Sequence, residues 1–463
     1  MHNTEEKGLL IRNKITFALG APNYVFVYMM FTMFILIFFT DVMKVNPVAA
    51  GRVLLVSRIC DAIFDIILGI VIDNTHTKYG KVRPFIFCGA IPVAIFMILV
   101  FTIPSNSATL NLVWAYVTYT GLSMSLSVLL ISTQTLVPRM TTNNHDRFIL
   151  NIIFFVALAI CGVIVSSVTM YMINTLGGDN IERGYQITAI IMAVLTLSTA
   201  WFLCYNTTEI KDKKTSQQEK ISILVLFKSI IKNAPFMIMA LFGMFFGMLG
   251  GLFQGGLAYY ATYYLREPTL TPIMTSILWI GILFGSLLAY PFLKLTGSKK
   301  RIFTVSVLVM LIVYAIRYIT KDTNIPVMLI LFSIAAIANG FISAFCNLLL
   351  MDTMQYGEWK TGIKTEGLVM SFYVFSTKIG VGIGGALLGS VLDASGYVAN
   401  AACQTQKALE GLFAANIVFP ILMMLIMLIT MLFYKLDDKS IEHITAKLNA
   451  KKLQGNNSTS VAS

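Results

Sequence analysis

An all-α fold that crosses a bilayer about twelve times is what this sequence predicts, and three observations predict it. Apolar runs of about 20 residues, the length a helix needs to cross a hydrocarbon core about 30 Å thick, recur along the whole chain. Of the 463 residues, 57% are hydrophobic and 12% charged, about half the charge of an ordinary soluble domain. The Lys and Arg residues fall mainly in alternate loops.

The apolar runs read as spans over about 15–39, 50–73, 84–103, 110–138, 148–172, 185–205, 235–264, 271–293, 302–320, 326–351, 369–393 and 410–434. An even number puts both termini on one side, and basic residues choose that side because they are retained in cytoplasmic loops. Of the 34 Lys and Arg, 25 fall on the side of the termini, six on the other, and Arg52, Arg58 and Lys378 within spans. Both termini are therefore expected in the cytosol. The formal net charge of +12 reads as topology, and no nucleic-acid partner is expected. The first fourteen residues are polar and the first apolar run exceeds a signal core, so no cleavable leader is expected. Cys60, Cys88, Cys161, Cys204, Cys346 and Cys403 lack paired or metal-type spacing and read as small buried hydrophobes.

The longest polar loop follows the sixth span and divides the chain into two sets of six. The expected organisation is a bundle over 1–205, a cytoplasmic loop over 206–234, a second bundle over 235–436 and a tail over 437–463. Carriers built this way hold substrate near the midplane between the halves. Within the loop, Ile221, Leu224, Phe227 and Ile231 share one face of a helix suited to the membrane surface. Each half also has a basic, Gly-containing turn after its second span, 73–84 and 295–301, which marks an internal repeat.

Charge inside a span costs about 2.5–3.5 kcal/mol at the bilayer centre and needs a functional reason. The second span carries Arg58, Asp61 and Asp65. The two carboxylates, four residues apart, share a helix face. Together in low dielectric they repel, so one binds a proton or both hold a cation. A structural ion pair of Arg58 with Asp61 is the plainer reading, but one Arg does not neutralise two carboxylates. Lys378 stands in the eleventh span beside Gly380, Gly382, Gly384 and Gly385, small residues that let helices approach closely. Polar residues such as Gln134, Asn151, Tyr119, Gln254, Asn347 and Tyr373 suit a cavity lining or plain interhelical hydrogen bonds.

Three stretches make the chain resemble the glycoside–pentoside–hexuronide:cation symporter family, over nearly its whole length. They are Arg58 to Asp65 with Gly69; Gly80-Lys81-Val82-Arg83-Pro84-Phe85; and Asp352 through Gly367 to Lys378 and Gly380, closing with Gly396-Tyr397. The resemblance implies a major facilitator fold with twelve helices in two six-helix bundles, and symport of a sugar with Na⁺, H⁺ or Li⁺. It places the family's cation-binding aspartates on Asp61 and Asp65, its helix-eleven lysine on Lys378, and its cytoplasmic gating charges on Arg147, Arg301, Asp352, Glu358 and Lys364. Aligned without gaps, the charged groups that grip the sugar fall on Val25, Leu130 and Phe155, an aromatic falls on Gln134, and a threonine on Ser127.

The expected function is a secondary active symporter and not an enzyme, with no cofactor beyond the coupling ion and no catalytic residue. Asp61 and Asp65 hold the cation with an oxygen from Ser127; Asn23, Gln134, Asn151 and Lys378 are the substrate candidates. The partners are a small carbohydrate, the ion and the bilayer, and the chain reads as a monomer. Because the charged sugar grip is lost, the alternatives are a carrier of an apolar or amphiphilic solute such as a lysolipid, or a non-transporting membrane sensor. A sensor has no need of a costly carboxylate pair.

Overall fold

The computed structural model describes residues 11–75, 77–105, 107–141, 144–209, 232–362, 366–399, 401, 403–444 and 446–447. Among these residues the ordered elements are helical, with no strand and one isolated bridge, Thr77 to Gly80. In chain order the α-helices are α1 (Ile11–Gly20), α2 (Val25–Ile37), α3 (Pro47–Asn74), α4 (Arg83–Val100), α5 (Ala108–Met140), α6 (Asn144–Gly177) and α7 (Ile181–Asn206). There follow α8 (Ala234–Tyr259), α9 (Leu270–Thr296), α10 (Lys299–Thr320), α11 (Ile325–Thr361), α12 (Glu366–Ala394), α13 (Gln406–Phe413) and α14 (Phe419–Phe433). Most of the expected surface helix over 221–232 lies outside the described residues; of the tail, 438–444 is helical.

Eleven helical segments among the described residues are long and apolar enough to cross a membrane. The twelfth expected span, α3, has 28 residues and rises about 42 Å, but its charges set it apart in composition. Its faces resolve the matter. Val56, Ile59, Ile63, Ile67 and Val71 form an exposed apolar stripe at three- and four-residue spacing, while Ser57 and Asp61 are buried. A helix that is apolar outward and charged inward fits lipid on one side and protein on the other.

Local sequence starts these helices as expected. Asn46 caps α3, its Oδ1 accepting from Val48 N at 2.9 Å and Ala49 N at 3.3 Å, with Pro47 in the first turn. Asn180, Ser298, Asn324 and Thr405 cap α7, α10, α11 and α13 by the same kind of bond. The 73–84 turn is clasped by a carboxylate. Glu209 accepts from the backbone N–H groups of Lys81, Val82 and Arg83 at 2.8–2.9 Å, where α4 begins. An anion there satisfies orphan donors and complements the helix dipole. Gly80 sits at φ 113° directly under that carboxylate, a conformation and a space that exclude a side chain.

The chain divides into two compact units: Met1–Thr215 with Gly250–Ile280 and Val381–Val418, and Ser216–Leu249 with Gly281–Gly380 and Phe419–Ser463. The divisions fall inside α8, α9 and α12. In the first unit, α3 packs on the 381–389 stretch of α12 through glycines: Gly51 faces Gly385 and Ala386, and Gly382 leaves room for Leu55 and the Arg58 stem. In the second unit the structure moves Arg317, one of the six basic residues assigned to the side away from the termini although it falls within 302–320, into a spanning helix. It lies buried in α10, paired with Asp322 at 2.6 Å, its guanidinium over Tyr314 and Phe332.

Candidate functional site

Asp61 is 1% exposed on the protein-facing side of α3. Ser127 Oγ, reaching from α5, donates to Asp61 Oδ1 at 2.7 Å. Arg58 Nη1 stands 3.8 Å from Asp61 Oδ2, a Coulombic pair longer than a good hydrogen bond. Asp65, one turn further along the same helix, is half-buried. Ser57 Oγ and Thr120 Oγ1, 2.6 Å apart, tie α3 to α5 just above. The structure thus brings Asp61 and Ser127 together and sets Asp65 one turn away, an all-oxygen group of the kind hard monovalent cations or a proton occupy.

Beside this group lies a narrow cleft lined by Thr32, Arg58, Tyr119, Gln254 and the backbone of Gly251, Gly255 and Gly385, with about 310 Å³ of empty space including its mouth. Phe31 stacks on Tyr119 at 4.5 Å, and the Arg58 guanidinium stands over Phe31 at 5.6 Å. The other substrate candidates are scattered. Asn23 is fully buried and donates to Thr133 at 3.1 Å. Gln134 is exposed, and Lys378 is half-buried on α12 in the second unit. The side chain of Asn151 lies outside the described residues, as do those of Arg147 and Lys364 among the gating candidates.

Of the remaining gating charges, Arg301 is exposed, Glu358 half-buried and Asp352 buried. The residue that grips Asp352 is Lys299, with Nζ donating at 2.7 Å and 2.5 Å and lying 3.7 Å from Asp438. Sequence analysis treats Lys299 only as a base of the 295–301 turn. A buried carboxylate robbed of its ammonium beside a second carboxylate is costly. Lys299→Gln is expected to cost about 2 kcal/mol, allowing for partial exposure, against less than about 0.5 kcal/mol for Arg301→Ala. Thermal unfolding of the two variants in one detergent checks the order.

The structure also assembles a cluster that sequence analysis misses. Asp41, 6% exposed, lies in a π-helical turn, Phe38–Val42, that continues the first span past its expected end at 39. Tyr263 donates to Asp41 Oδ2 at 2.6 Å, Tyr397 to both oxygens at 2.9 Å, and Thr40 to Oδ1 at 2.6 Å. Tyr259 OH stands 2.7 Å from Thr40 Oγ1. A carboxylate only accepts, so Thr40 donates to Asp41 and Tyr259 donates to Thr40. Tyr263 lies 222 residues after Asp41, in the matching π-turn, Tyr260–Tyr264. The two turns end alike. Met43 N and Val45 N bond to Phe38 O and Phe39 O, Leu265 N and Glu267 N to Tyr260 O and Ala261 O. Lys44 and Arg266 follow at φ 59° and 58°. The repeat therefore extends to hydrogen-bond detail, and equivalent positions of the two halves bond to each other. The legible signal was a lone acid in the last turn of an apolar run, with tyrosines at the repeat distance.

Helices long and apolar enough to span a membrane, with a carboxylate and a hydroxyl buried together between two helices, fit a membrane carrier. The family model for MFS/sugar transport proteins matches residues 16–438, and the chain belongs to that family, as the resemblance to glycoside–pentoside–hexuronide:cation symporters implied. It is 31% identical over 427 residues to an isoprimeverose transporter of Lactiplantibacillus pentosus, covering 91% of this chain and 88% of the relative. It is 28% identical over 448 residues to a glucuronide carrier protein homolog of Escherichia coli strain K12, covering 96% of each. Crystal structures of a D-xylose-proton symporter, with TM-score 0.63, 12% identity and cover of 90% of this chain and 97% of that one, and of a bacterial Spinster homolog, with TM-score 0.64, 12% identity and cover of 92% and 94%, share the major facilitator fold.

Proposed function

We propose that this protein is a secondary active symporter that moves a small glycoside or other sugar with Na⁺ or H⁺ by alternating access. The observation that carries the reading is buried Asp61 held by Ser127 of a neighbouring spanning helix, with half-buried Asp65 one turn away, in a chain whose relatives bear sugar-carrier names. A cation or proton relieves the repulsion of the two carboxylates and thereby favours the state that accepts substrate. No covalent step is involved. Asp41 of the first half and Tyr263 and Tyr397 of the second tie the halves where they meet, so that separating them there requires these bonds to exchange for water.

Proteoliposomes given sugar outside together with an inward Na⁺ or proton gradient test the reading. Sugar-dependent ion entry is expected for at least one glycoside. The loss of the charged sugar grip, with Val25 buried and apolar, favours one second reading, an amphiphilic solute. Ion entry driven by a lysolipid and by no sugar would select it.

The membrane orientation is part of the same proposal. A reporter enzyme fused after Asp438 should be active only in the cytosol, in keeping with the split of 25 basic residues against six. Activity on the outer side would overturn the assignment of every loop.

A further inference from the structure

We propose that a cavity beside Asp41 is a second carbohydrate site, in which sugar hydroxyls displace Tyr397 from that carboxylate and so release the tie it makes. The inference rests on the sugar reading above and adds a site to it.

The cavity encloses about 390 Å³, within the range of about 300–1,000 Å³ that small-molecule sites occupy. It lies at the end of the first span away from the N-terminus. Its lining has two characters. Thr40, Lys44, Asn46 and Tyr397 supply polar groups, Pro47 and Val398 apolar ones. A pyranose is divided alike, with hydroxyls around its rim and C–H groups on its faces.

Both walls are fixed before any ligand arrives. On one side Asn46 caps α3 and donates through Nδ2 to Asp393 at 2.9 Å, and Val45 N bonds to Phe39 O. On the other, Tyr397 N donates to Leu392 O at 3.0 Å and Val398 N to Gln404 Oε1 at 3.1 Å. Walls already in place spare a ligand the cost of ordering them.

What stands behind the cavity gives it a role. Thr40 and Tyr397 line it, and the same two residues donate to Asp41. A carboxylate only accepts, and a hydroxyl that donates to it can be replaced by another hydroxyl. Tyr397 stands 2.9 Å from both oxygens of Asp41, so its one proton is shared between two acceptors. Two neighbouring sugar hydroxyls bring one proton to each oxygen, a charge-assisted pair in place of a shared bond. A sugar in the cavity therefore gains Asp41 by turning Tyr397 aside. That movement also parts Tyr397 from the rings of Tyr259 and Tyr263, which meet it edge-on at 5.5 Å and 5.4 Å. Occupancy of the cavity and release of the Asp41 cluster are then one event.

Labelling of the full-length protein in a background without native cysteines tests the proposal, with methyl β-xyloside and methyl β-glucoside as probes. Ala399→Cys places a thiol in the cavity wall. Its reaction with an impermeant maleimide should slow about tenfold when one of the glycosides is present at about ten times its Kd. Tetraethylene glycol, which lacks adjacent hydroxyls, should not protect. Val398→Trp, at a position 57% exposed, fills the cavity and should abolish protection. It should also lower kcat/KM for uptake several-fold while kcat changes little. Absence of protection by either glycoside, equal protection by tetraethylene glycol, or protection that survives Val398→Trp overturns the proposal. Sugar-dependent ion entry in proteoliposomes would then leave the symport reading standing. Protection by a glycoside that drives no ion entry supports the site and removes the symport reading.

Discussion

Asp61→Asn with Asp65→Asn should abolish ion-driven accumulation while leaving downhill exchange of substrate measurable. A membrane potential of about 100 mV is worth about 2.3 kcal/mol per charge moved, roughly fortyfold accumulation for one cation. An uncoupled carrier loses that entire factor and equilibrates. Asn keeps the shape of each side chain and its capacity to accept from Ser127, so folding should survive. Neither amide can bind a proton near neutral pH, and neither offers a cation a formal charge. The cleft beside Arg58 is not lined by either residue, which is why exchange should persist. Asp65→Asn alone tests whether the half-buried partner is essential or only assists Asp61. Folded yield, exchange and gradient-driven uptake, measured on one preparation, separate coupling from stability. A well-folded double mutant that still concentrates substrate with normal ion dependence would remove these residues from the cation site. Lower yield with coupling intact would make them structural charges.

Asp41→Ala should open the end of the molecule that Asp41 ties. A hydrogen bond to a charged group contributes about 1.5–3 kcal/mol, and this carboxylate accepts from Thr40, Tyr263 and Tyr397. These bonds are coupled through the Tyr259–Thr40 contact and the packed tyrosine rings, so their loss is not a simple sum. A net change of only about 2 kcal/mol still shifts a two-state population roughly thirtyfold. In a background without native cysteines, Gln254→Cys provides a reporter in the cleft. Its labelling by a membrane-impermeant maleimide from the Asp41 side should rise in the Asp41→Ala variant. Tyr397→Phe removes one donor and keeps the ring, so it should raise labelling less. Unchanged labelling with a lowered melting temperature would make the cluster a structural support and not a gate.

The helical, multi-span character was legible because lipid imposes it locally. Each span must satisfy its backbone within itself and present apolar side chains outward, and both demands are written in consecutive residues. Caps were equally local, as Asn46-Pro47 and Asn324 show. The Asp61–Asp65 spacing was legible because four residues make one helical turn. The weaker parts of the reading each depended on a partner far along the chain. The expected first span ends at 39, short of Asp41, because the periodic apolar pattern stops near Phe39; what buries Asp41 is a tyrosine 222 residues later. Lys299 looked like one base among several in a turn, and only the path of α11 sets Asp352 against it. Asn23, a substrate candidate, has its Nδ2 engaged by Thr133, 110 residues away.

By itself the sequence determined a membrane carrier with two repeated halves, the helix that bears Asp61 and Asp65, and the family to which it belongs. These follow from composition, from 3.6-residue periodicity and from short motifs, all of which act over a few turns of chain. Only the tertiary structure decided which oxygen of Asp61 meets Ser127, which buried guanidinium faces the cleft, and which tyrosines surround Asp41. Those outcomes depend on helix rotation and depth. A rotation of one residue, about 100° of arc, would turn any of these side chains from the interior to the lipid without altering the apolar pattern enough to be seen.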